Sequence, residues 1–221
     1  MRGLFVTGTG TEVGKTVVAA AIARALAQGG GGVNVFKPCE SGLEEEGEPD
    51  HELLRRASGT SQSDDEIAPY RFGPPVSPHL AAELAGVSVE PRLILERARA
   101  VAAGADALVC EGVGGLLVPL TAGYLVRDLA RDLGLPLVVA ASPTLGTINH
   151  TLLTLESARA VGLAVAAVVL TPWPEEPGEL ELSNLESIAA LGQVEVETLP
   201  QLDLQRPESW PAPRVAQAVL G

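Results

Sequence analysis

One glycine-rich segment near the start of the chain has the residue types that bind the phosphates of a nucleotide. Residues 8–16, Gly-Thr-Gly-Thr-Glu-Val-Gly-Lys-Thr, resemble the template G-x-x-x-x-G-K-[S/T], in which backbone N–H groups surround phosphate oxygens. Measured from Gly8, the segment is one residue longer than the template, and measured from Thr9 it lacks the first glycine. Lys15 would contact the β- and γ-phosphates, and the Thr16 hydroxyl would be a ligand of Mg²⁺. The alternative is a glycine-rich turn that only caps a helix.

Lysine is rare in this chain. Of the fifteen basic residues thirteen are arginine, and only Lys15 and Lys37 are lysine. A compact ammonium on a flexible stem suits contacts with phosphate or carbamate in a narrow space, where the planar guanidinium is bulkier. Both lysines are therefore candidates for the chemistry, and the alternative is a codon bias that left two lysines by chance.

Two charged residues follow predicted strands. Lys37 closes a strand predicted over residues 33–37, and Glu111 follows a strand predicted over residues 105–110. Because open α/β sheets bind ligands at the carboxyl ends of their strands, we expect both side chains to converge on the phosphate loop. The glycines that follow Glu111 predict a turn that lets backbone approach a ligand closely, and the carboxylate would hold Mg²⁺. The alternative for Glu111 is an exposed acid at a strand end.

Asp50 and Ser41 each have two interpretations. Asp50 precedes a helix-like segment, so it is either a second carboxylate ligand of the metal or a helix N-cap. Ser41, with Gly42 after it, either contacts the substrate or only forms a turn. Residues 43–50 contain five acids beside a glycine and a proline, a composition typical of a mobile, solvated loop.

The elements that position these residues alternate along the chain. Apolar runs predict strands over residues 4–7, 33–37, 105–110, 136–141, 163–170 and 194–199. The segments between them predict helices over residues 16–27, 93–103, 125–133, 147–161 and 185–191. Uninterrupted apolar runs are typical of parallel strands that are buried on both faces. The sequence therefore predicts an α/β fold, doubly wound, with a mainly parallel sheet and helices on both faces.

Composition excludes several classes of function. The 221 residues suit a single domain over 1–221, and 46% hydrophobic residues exclude a disordered chain. A net charge of −13 repels nucleic acid and anionic membranes, so we expect neither as a partner. No apolar stretch is long enough for a transmembrane helix and no signal-peptide pattern is present, so we expect a cytoplasmic protein. Cys39 and Cys110 lack the spacing of a metal site and are expected to be reduced.

Four segments, taken in order, resemble the dethiobiotin synthetase family. They are residues 6–16, Lys37-Pro38 with Ser41-Gly42, residues 111–115 (Glu-Gly-Val-Gly-Gly) and residues 145–150 (Leu-Gly-Thr-Ile-Asn-His). The resemblance extends along nearly the whole chain and implies a P-loop NTPase-like fold. It also implies an ATP- and Mg²⁺-dependent ligase of biotin biosynthesis, active as a homodimer with its substrate near the subunit interface. Such an enzyme joins 7,8-diaminononanoate and carbon dioxide into dethiobiotin through a carbamate and a carbamic-phosphoric anhydride, and it releases ADP and phosphate.

The resemblance also implies a role for individual positions. It implies catalytic roles for Lys15, Lys37 and Thr11, and metal ligation by Thr16, Asp50 and Glu111. The substrate would contact Lys37, Ser41, Gly146 and Asn149. The nucleotide would contact Glu12, Val13, Gly14, Lys15, Thr16, Val17, Asp50, Glu111, Gly112, Val113, Gly114, Thr171, Pro172, Pro200, Gln201 and Leu202.

A nucleotide-switched P-loop ATPase that acts through partner proteins is the alternative function. Partition and division-site ATPases of this kind carry an additional lysine in the phosphate loop, at the position where this chain has Gly10. A third class, an amide-forming ligase supplied with ammonia by a glutaminase, would need a further domain, for which 221 residues leave no room. The glycine therefore favours the synthetase over the switch.

A departure from the family pattern predicts relaxed selectivity for the nucleotide base. Well-known members place an Asn-Asp pair where this chain has Thr171-Pro172, so a two-pronged amide contact to adenine is lost. We expect kcat/KM for ATP to exceed the values for GTP and CTP by less than about a hundredfold, since strong rejection requires hydrogen bonds dedicated to the base. Steady-state kinetics with the three nucleotides measures the ratio. A much stronger preference for ATP would show that other groups read the base.

Overall fold

The computed structural model describes residues 1–220. Its strands are β1 (Gly3–Gly8), β2 (Val33–Phe36), β3 (Cys39–Ser41), β4 (Tyr70–Phe72), β5 (Ala107–Gly115), β6 (Pro119–Thr121), β7 (Tyr124–Leu125), β8 (Leu137–Ala141), β9 (Val165–Trp173) and β10 (Val196–Pro200). Its helices are α1 (Lys15–Gln28), α2 (Asp50–Ser58), α3 (Asp64–Ile67), α4 (Pro78–Ala85), α5 (Pro91–Ala103), α6 (Val126–Leu133), α7 (Thr147–Arg159), α8 (Glu179–Gly192) and α9 (Arg214–Leu220). A short 3-10 turn, Pro207–Ser209, precedes α9.

Six parallel strands form the central sheet in the order β10-β9-β8-β1-β5-β2. β1 lies between β8 and β5, and the strand order changes direction there. The strands β5 and β2 lie on one side of β1, and β8, β9 and β10 lie on the other side. A ligand crevice forms at such a switch point, outside the carboxyl ends of the strands. Two small pairs, β3 with β4 and β6 with β7, lie outside the main sheet.

Alternation along the strands places apolar side chains on both faces of the sheet. In β1, Leu4 and Val6 are buried in a cluster with α1, α2 and α9, whereas Phe5 is buried in a second cluster with α4, α5 and α6. A third cluster joins β8 and β9 to α7 and α8. The predicted α/β fold, with a doubly wound, parallel sheet and helices on both faces, is confirmed.

The predicted end of the third apolar strand is wrong. β5 continues through the glycines to Gly115, which pairs with Gly8 after a register shift, so Glu111 lies within the strand and not after it. Glycine has no side chain to clash with the neighbouring loop, so these residues continue the pairing where the sequence suggests a turn. Glu111 still lies beyond the last pairing of β2, because Phe36 pairs with Cys110.

Among the described residues, no helix is both long and apolar enough to cross a bilayer. The six-stranded sheet draws strands from the first to the last third of the chain. The division into a single domain over residues 1–221 stays a prediction.

Candidate active site

The loop between β1 and α1 packs closely against Gly8, the last residue of β1. A Cβ atom at Gly8 would lie 2.7 Å from Val13 Cγ2 and 2.9 Å from the Gly10 carbonyl oxygen, so no larger residue fits there. Gly14 has φ +82° in the left-handed region, and a Cβ there would lie 2.5 Å from Thr171 Cγ2. Glycine at these two positions lets the loop turn tightly just before α1. The backbone N–H groups of the loop then lie at the N-terminus of the helix, where the helix dipole favours an anion.

Lys15 is the first residue of α1, and its side chain turns back over the loop. Its ammonium donates to the carbonyl oxygen of Gly10 at 3.0 Å, and the residue is only 8% exposed. Burial lowers the pKa of Lys15, and the negative charge of Glu111 offsets only part of this effect. An anionic phosphate group at the loop would stabilise the charged ammonium.

Four side chains from four segments meet beside the loop. The Lys37 ammonium lies 2.7 Å from Glu111 Oε1 and 2.7 Å from Asp50 Oδ2. The Thr16 hydroxyl lies 2.8 Å from Asp50 Oδ1 and 2.9 Å from Glu111 Oε1. The structure thus brings Lys37 and Glu111 together beside the phosphate loop, where they were expected to converge; Asp50 joins them, and Glu111 is buried instead of exposed.

Burial and pairing act against each other on these charges. For Glu111 burial has the larger effect, and its pKa lies above the ordinary value although Lys37 lowers it. For Asp50 burial also acts to raise the pKa, but Lys37 and the Thr16 hydroxyl together hold it below the ordinary value. For Lys37 burial opposes the charge, and the two carboxylates more than compensate, so its pKa lies above the ordinary value.

The helix-cap interpretation of Asp50 is wrong. Helix α2 begins at Asp50, the capping position is Pro49, and no side chain of the helix's own N-terminal segment caps it. The Asp50 carboxylate contacts Lys37 and Thr16 instead of amides of its own helix. Its side chain is 40% exposed, which leaves it open to the neighbouring cavity.

The oxygens of this cluster have the chemistry of a magnesium site. Thr16 has a single hydroxyl proton for two carboxylates, and the buried Glu111 Oε2 has no hydrogen-bond donor. Among the described residues no group of three or more histidine, cysteine, aspartate or glutamate side chains could hold a metal ion. Mg²⁺ usually binds one or two carboxylates and completes its shell with phosphate oxygens and water. Two carboxylates and a hydroxyl fit that pattern.

A cavity of about 680 Å³ extends from this cluster. Of the predicted site residues its lining includes Thr11, Glu12, Gly14, Lys15, Thr16, Val17, Lys37, Ser41, Asp50, Val113 and Gly114. The lining also includes residues that no sequence pattern identified as part of the site: Glu40, Glu45, Glu46, Glu48, Pro75, Val76, Ser77, Pro78, Val118 and Leu204. The acidic stretch 43–50 is thus a wall of the cavity and not only a solvated loop. No local signal identifies that wall, because it forms when residues 42–44 hydrogen-bond to residues 72–74.

Three predicted site residues are placed behind the cavity lining. Glu111 and Gly112 are buried. The Glu111 carboxylate contacts Thr16 and Lys37, which do line the cavity. Val13 lies over Gly8, against which its methyl group packs.

Five of the predicted nucleotide-contacting residues lie together at the ends of β9 and β10: Thr171, Pro172, Pro200, Gln201 and Leu202. Pro200 pairs with Trp173, which brings residues 171–172 close to residues 200–202. Thr171 is buried with its methyl group against Gly14, and Leu202 is buried in the cluster around α1. None of these residues lines the large cavity.

Gly146 and Asn149 stand apart from the other predicted substrate residues. They lie at the exposed start of α7 and do not line the cavity that contains Ser41. Within one chain the structure therefore does not bring the two halves of the predicted substrate site together.

The two cysteines take no part in this site. Both are free and buried, and burial raises the pKa of Cys39 to about 12. A thiol with such a pKa stays protonated near neutral pH, and the two free thiols fit the expectation of reduced cysteines.

Comparison with known proteins identifies relatives over most of the chain. A protein of Anaeromyxobacter dehalogenans, an ATP-dependent dethiobiotin synthetase, is 50% identical over 188 residues, 84% of each chain. An ATP-dependent dethiobiotin synthetase of Bacillus subtilis is 39% identical over 192 residues, 86% of this chain and 83% of that one. The chain belongs to the dethiobiotin synthetase family. A family model described as an AAA domain also matches residues 2–207.

Solved structures show the fold more widely. The MinC:MinD cell division complex of Aquifex aeolicus matches with a TM-score of 0.63 and 13% identity, over 100% of this chain and 96% of that one. The cell division ATPase MinD of Pyrococcus furiosus matches with a TM-score of 0.55 and 17% identity, over 100% and 96%. At such identities the likeness concerns the fold alone. The predicted family, its ATP-dependent ligase class and the P-loop NTPase-like fold are confirmed.

Removal of the buried ammonium should destabilise the protein in a pH-dependent way. In Lys37→Met, Glu111 is left buried without its cation, which we expect to cost about 3–5 kcal/mol of unfolding free energy. The pKa of Glu111, already above its ordinary value, rises further, so the folded state retains its proton to higher pH than the unfolded state does. Stability is then lost as the pH rises through the folded-state pKa, and the deficit should be larger at about pH 8 than at about pH 5.5.

Urea denaturation of both proteins at the two pH values measures this difference. The double variant Lys37→Met/Glu111→Gln is the control, and it should recover stability and lose the extra pH dependence. Equal deficits at both pH values would contradict the assigned pairing.

Proposed function

We propose that this chain converts 7,8-diaminononanoate, carbon dioxide and ATP into dethiobiotin, ADP and phosphate. The observation that carries the proposal is the convergence of two lysines, two carboxylates and a hydroxyl beside the phosphate loop. This cluster lies at one end of a cavity of about 680 Å³, and the chain is a member of the dethiobiotin synthetase family. Both lysines of a chain that otherwise uses arginine lie at this place.

ATP would bind with its phosphates on the loop over residues 9–14. The amides that precede α1, the helix dipole and the Lys15 ammonium together favour a polyanion there. Thr16, Asp50 and Glu111 would hold Mg²⁺, which when bound neutralises charge on the β- and γ-phosphates. Lys37 bridges the two carboxylates and lines the same cavity, so it would contact the γ-phosphate and a substrate beside it.

The reaction needs two bond-forming steps at one carbon atom. An amine of the substrate first bonds to carbon dioxide and loses a proton, which gives a carbamate. A carbamate oxygen then attacks the γ-phosphorus of ATP as ADP leaves. The second amine attacks the carbamoyl carbon, phosphate leaves as the C–O bond breaks, and the amine nitrogen loses a proton. Lys37 would hold the carbamate and the γ-phosphate together, and Lys15 would stabilise the transferring phosphoryl group. In such reactions the protein contributes mainly by positioning and by neutralisation of charge.

Thr11 and Ser41 support a substrate site in the same cavity, because both line it. Gly146 and Asn149 support a homodimer by a different argument. They do not line the cavity of their own chain, so their proposed contact with the substrate would require a second subunit. We propose a cytoplasmic homodimer with small-molecule substrates, without a nucleic acid or membrane partner.

Phosphate release tests this reaction against the alternative of a nucleotide switch. We expect release of phosphate from ATP to require both the diamine and bicarbonate, since the synthetase transfers the phosphoryl group to a carbamate. A switch would hydrolyse ATP without them. Colorimetric phosphate measurement, with each component omitted in turn, separates the two; equal rates without the diamine would exclude the proposed reaction.

Lys37 should be needed for turnover and not for nucleotide binding. In Lys37→Met we expect kcat to fall by at least about a hundredfold, because a preorganised charge at the reacting groups is lost. The dissociation constant for ATP, measured by calorimetry, should change little. Far-UV circular dichroism at the assay temperature checks that the variant is folded. An unchanged kcat in the folded variant would remove Lys37 from the mechanism.

A further inference from the structure

A buried glutamate that has no role in the proposed reaction contacts Asp50, one of the proposed metal ligands. Glu40 is in β3, and the residue is only 3% exposed. Its Oε1 accepts the backbone N–H of Asp50 at 2.7 Å, and its Oε2 lies 2.6 Å from His51 Nδ1. His51 is itself only 4% exposed. Both carboxylate oxygens of Glu40 are thus committed to the first two residues of α2.

Helix α2 needs this contact because its own sequence provides no cap. The first N–H groups of a helix have no partner inside the helix, and a side-chain oxygen just before the helix usually accepts one of them. Here the residue before the helix is Pro49, which has no such oxygen, and no local side chain caps the helix. Glu40 supplies the acceptor from a different element, and the positive end of the helix dipole favours its negative charge.

The segment that carries Lys37 therefore contacts Asp50 twice. Lys37 pairs with the Asp50 carboxylate, and Glu40, three residues later, accepts the Asp50 amide. The first contact fixes the side chain of Asp50, and the second fixes its backbone. The Asp50 side chain, 40% exposed, then faces the cavity with its Oδ1 2.8 Å from Thr16 Oγ1.

His51 fixes Glu40 in turn. A carboxylate that accepts an imidazole N–H on one oxygen keeps the other oxygen aimed at the Asp50 amide. The second ring nitrogen of His51 lies 3.9 Å from Asp64 Oδ2, and Asp64 pairs with Arg55. At 3.9 Å the contact with Asp64 is longer than a hydrogen bond, so the contact with Glu40 and the burial of the ring fix the orientation of the imidazole.

We propose that Glu40 and His51 are positioning residues for magnesium, which hold Asp50 where its carboxylate completes the metal site with Thr16 and Glu111. This inference rests on the proposed role of Asp50 as a metal ligand. Groups that orient metal ligands from behind commonly change metal affinity by about ten- to a hundredfold when they are removed. Glu40 is among the residues that line the cavity, but both of its carboxylate oxygens contact the start of α2, so we expect its loss to act through Asp50 and the metal.

Metal binding in Glu40→Ala tests the inference directly. The electron paramagnetic resonance signal of free Mn²⁺ gives the dissociation constant of the metal in the presence of a non-hydrolysable ATP analogue. We expect this constant, and the Mg²⁺ concentration that gives half-maximal phosphate release, to rise about tenfold. The kcat at saturating Mg²⁺ should change far less. Glu40→Gln keeps an oxygen acceptor for the Asp50 amide and should restore most of the affinity.

Glu197 provides a matched control for the loss of a buried helix cap. It is 7% exposed, lies in β10, and accepts the N–H groups of Arg214 and Val215 at the start of α9, each at 2.7 Å. Glu197→Ala removes a strand-borne cap of the same kind away from the cavity. It should lower the thermal midpoint and leave both metal constants unchanged.

Each outcome decides the inference. A rise in the metal constants in Glu40→Ala, recovery in Glu40→Gln and no rise in Glu197→Ala support it. Unchanged metal constants in Glu40→Ala overturn it. If Glu40→Ala does not fold, Glu40→Asp replaces it: this variant withdraws the carboxylate from the amide but keeps the charge, and unchanged constants again overturn the inference.

Asp50→Asn separates failure of this inference from failure of the proposed metal site. Weaker Mn²⁺ binding in Asp50→Asn together with unchanged binding in Glu40→Ala overturns only the positioning role. Unchanged Mn²⁺ binding in both variants overturns the metal role of Asp50 and, with it, the positioning role of Glu40.

Discussion

The site depends on one buried ammonium between two carboxylates. Lys37 lies within 2.7 Å of both Asp50 and Glu111, and these three residues come from separate parts of the chain. Without Lys37, Glu111 would be a fully buried carboxylate that has lost its ion-pair partner, which proteins avoid because desolvation is so costly. The pairing therefore closes the edge of the sheet around β2 and β5 and brings the start of α2 against the phosphate loop.

Two surfaces of opposite character meet at this edge. The loop amides, the start of α1 and the Lys15 ammonium form a surface for an anion, whereas Asp50, Glu111 and Thr16 form a surface for a cation. The chain as a whole carries a net charge of −13, and glutamates line the neighbouring cavity. Attraction for a nucleotide must therefore come from these local groups and not from the overall field. The likeness in fold to the MinD proteins, at 13% and 17% identity, does not itself specify a chemistry, which depends on the residues at this edge.

Where the sequence alone was insufficient, the missing information was non-local. Short-range patterns identified the six core strands and the phosphate loop, because burial on both faces leaves uninterrupted apolar runs and because the loop carries its glycines and lysine in a fixed order. The patterns missed α2 as an element that fixes Asp50, because its cap, Glu40, lies ten residues before the helix and on another element. They ended β5 too early because Gly115 is kept in the sheet by its pairing with Gly8.

The sequence determined which groups are available: two lysines beside thirteen arginines, a loop with its glycines and its lysine in a fixed order, and the carboxylates of Asp50 and Glu111. These properties are local, since residue type, spacing and backbone freedom can be read along the chain. Tertiary structure alone decided that Asp50 turns its carboxylate toward Lys37 instead of capping its own helix, and that Gly146 and Asn149 stay apart from the cavity. Such outcomes depend on distances between segments far apart in sequence, which packing sets and local preferences do not.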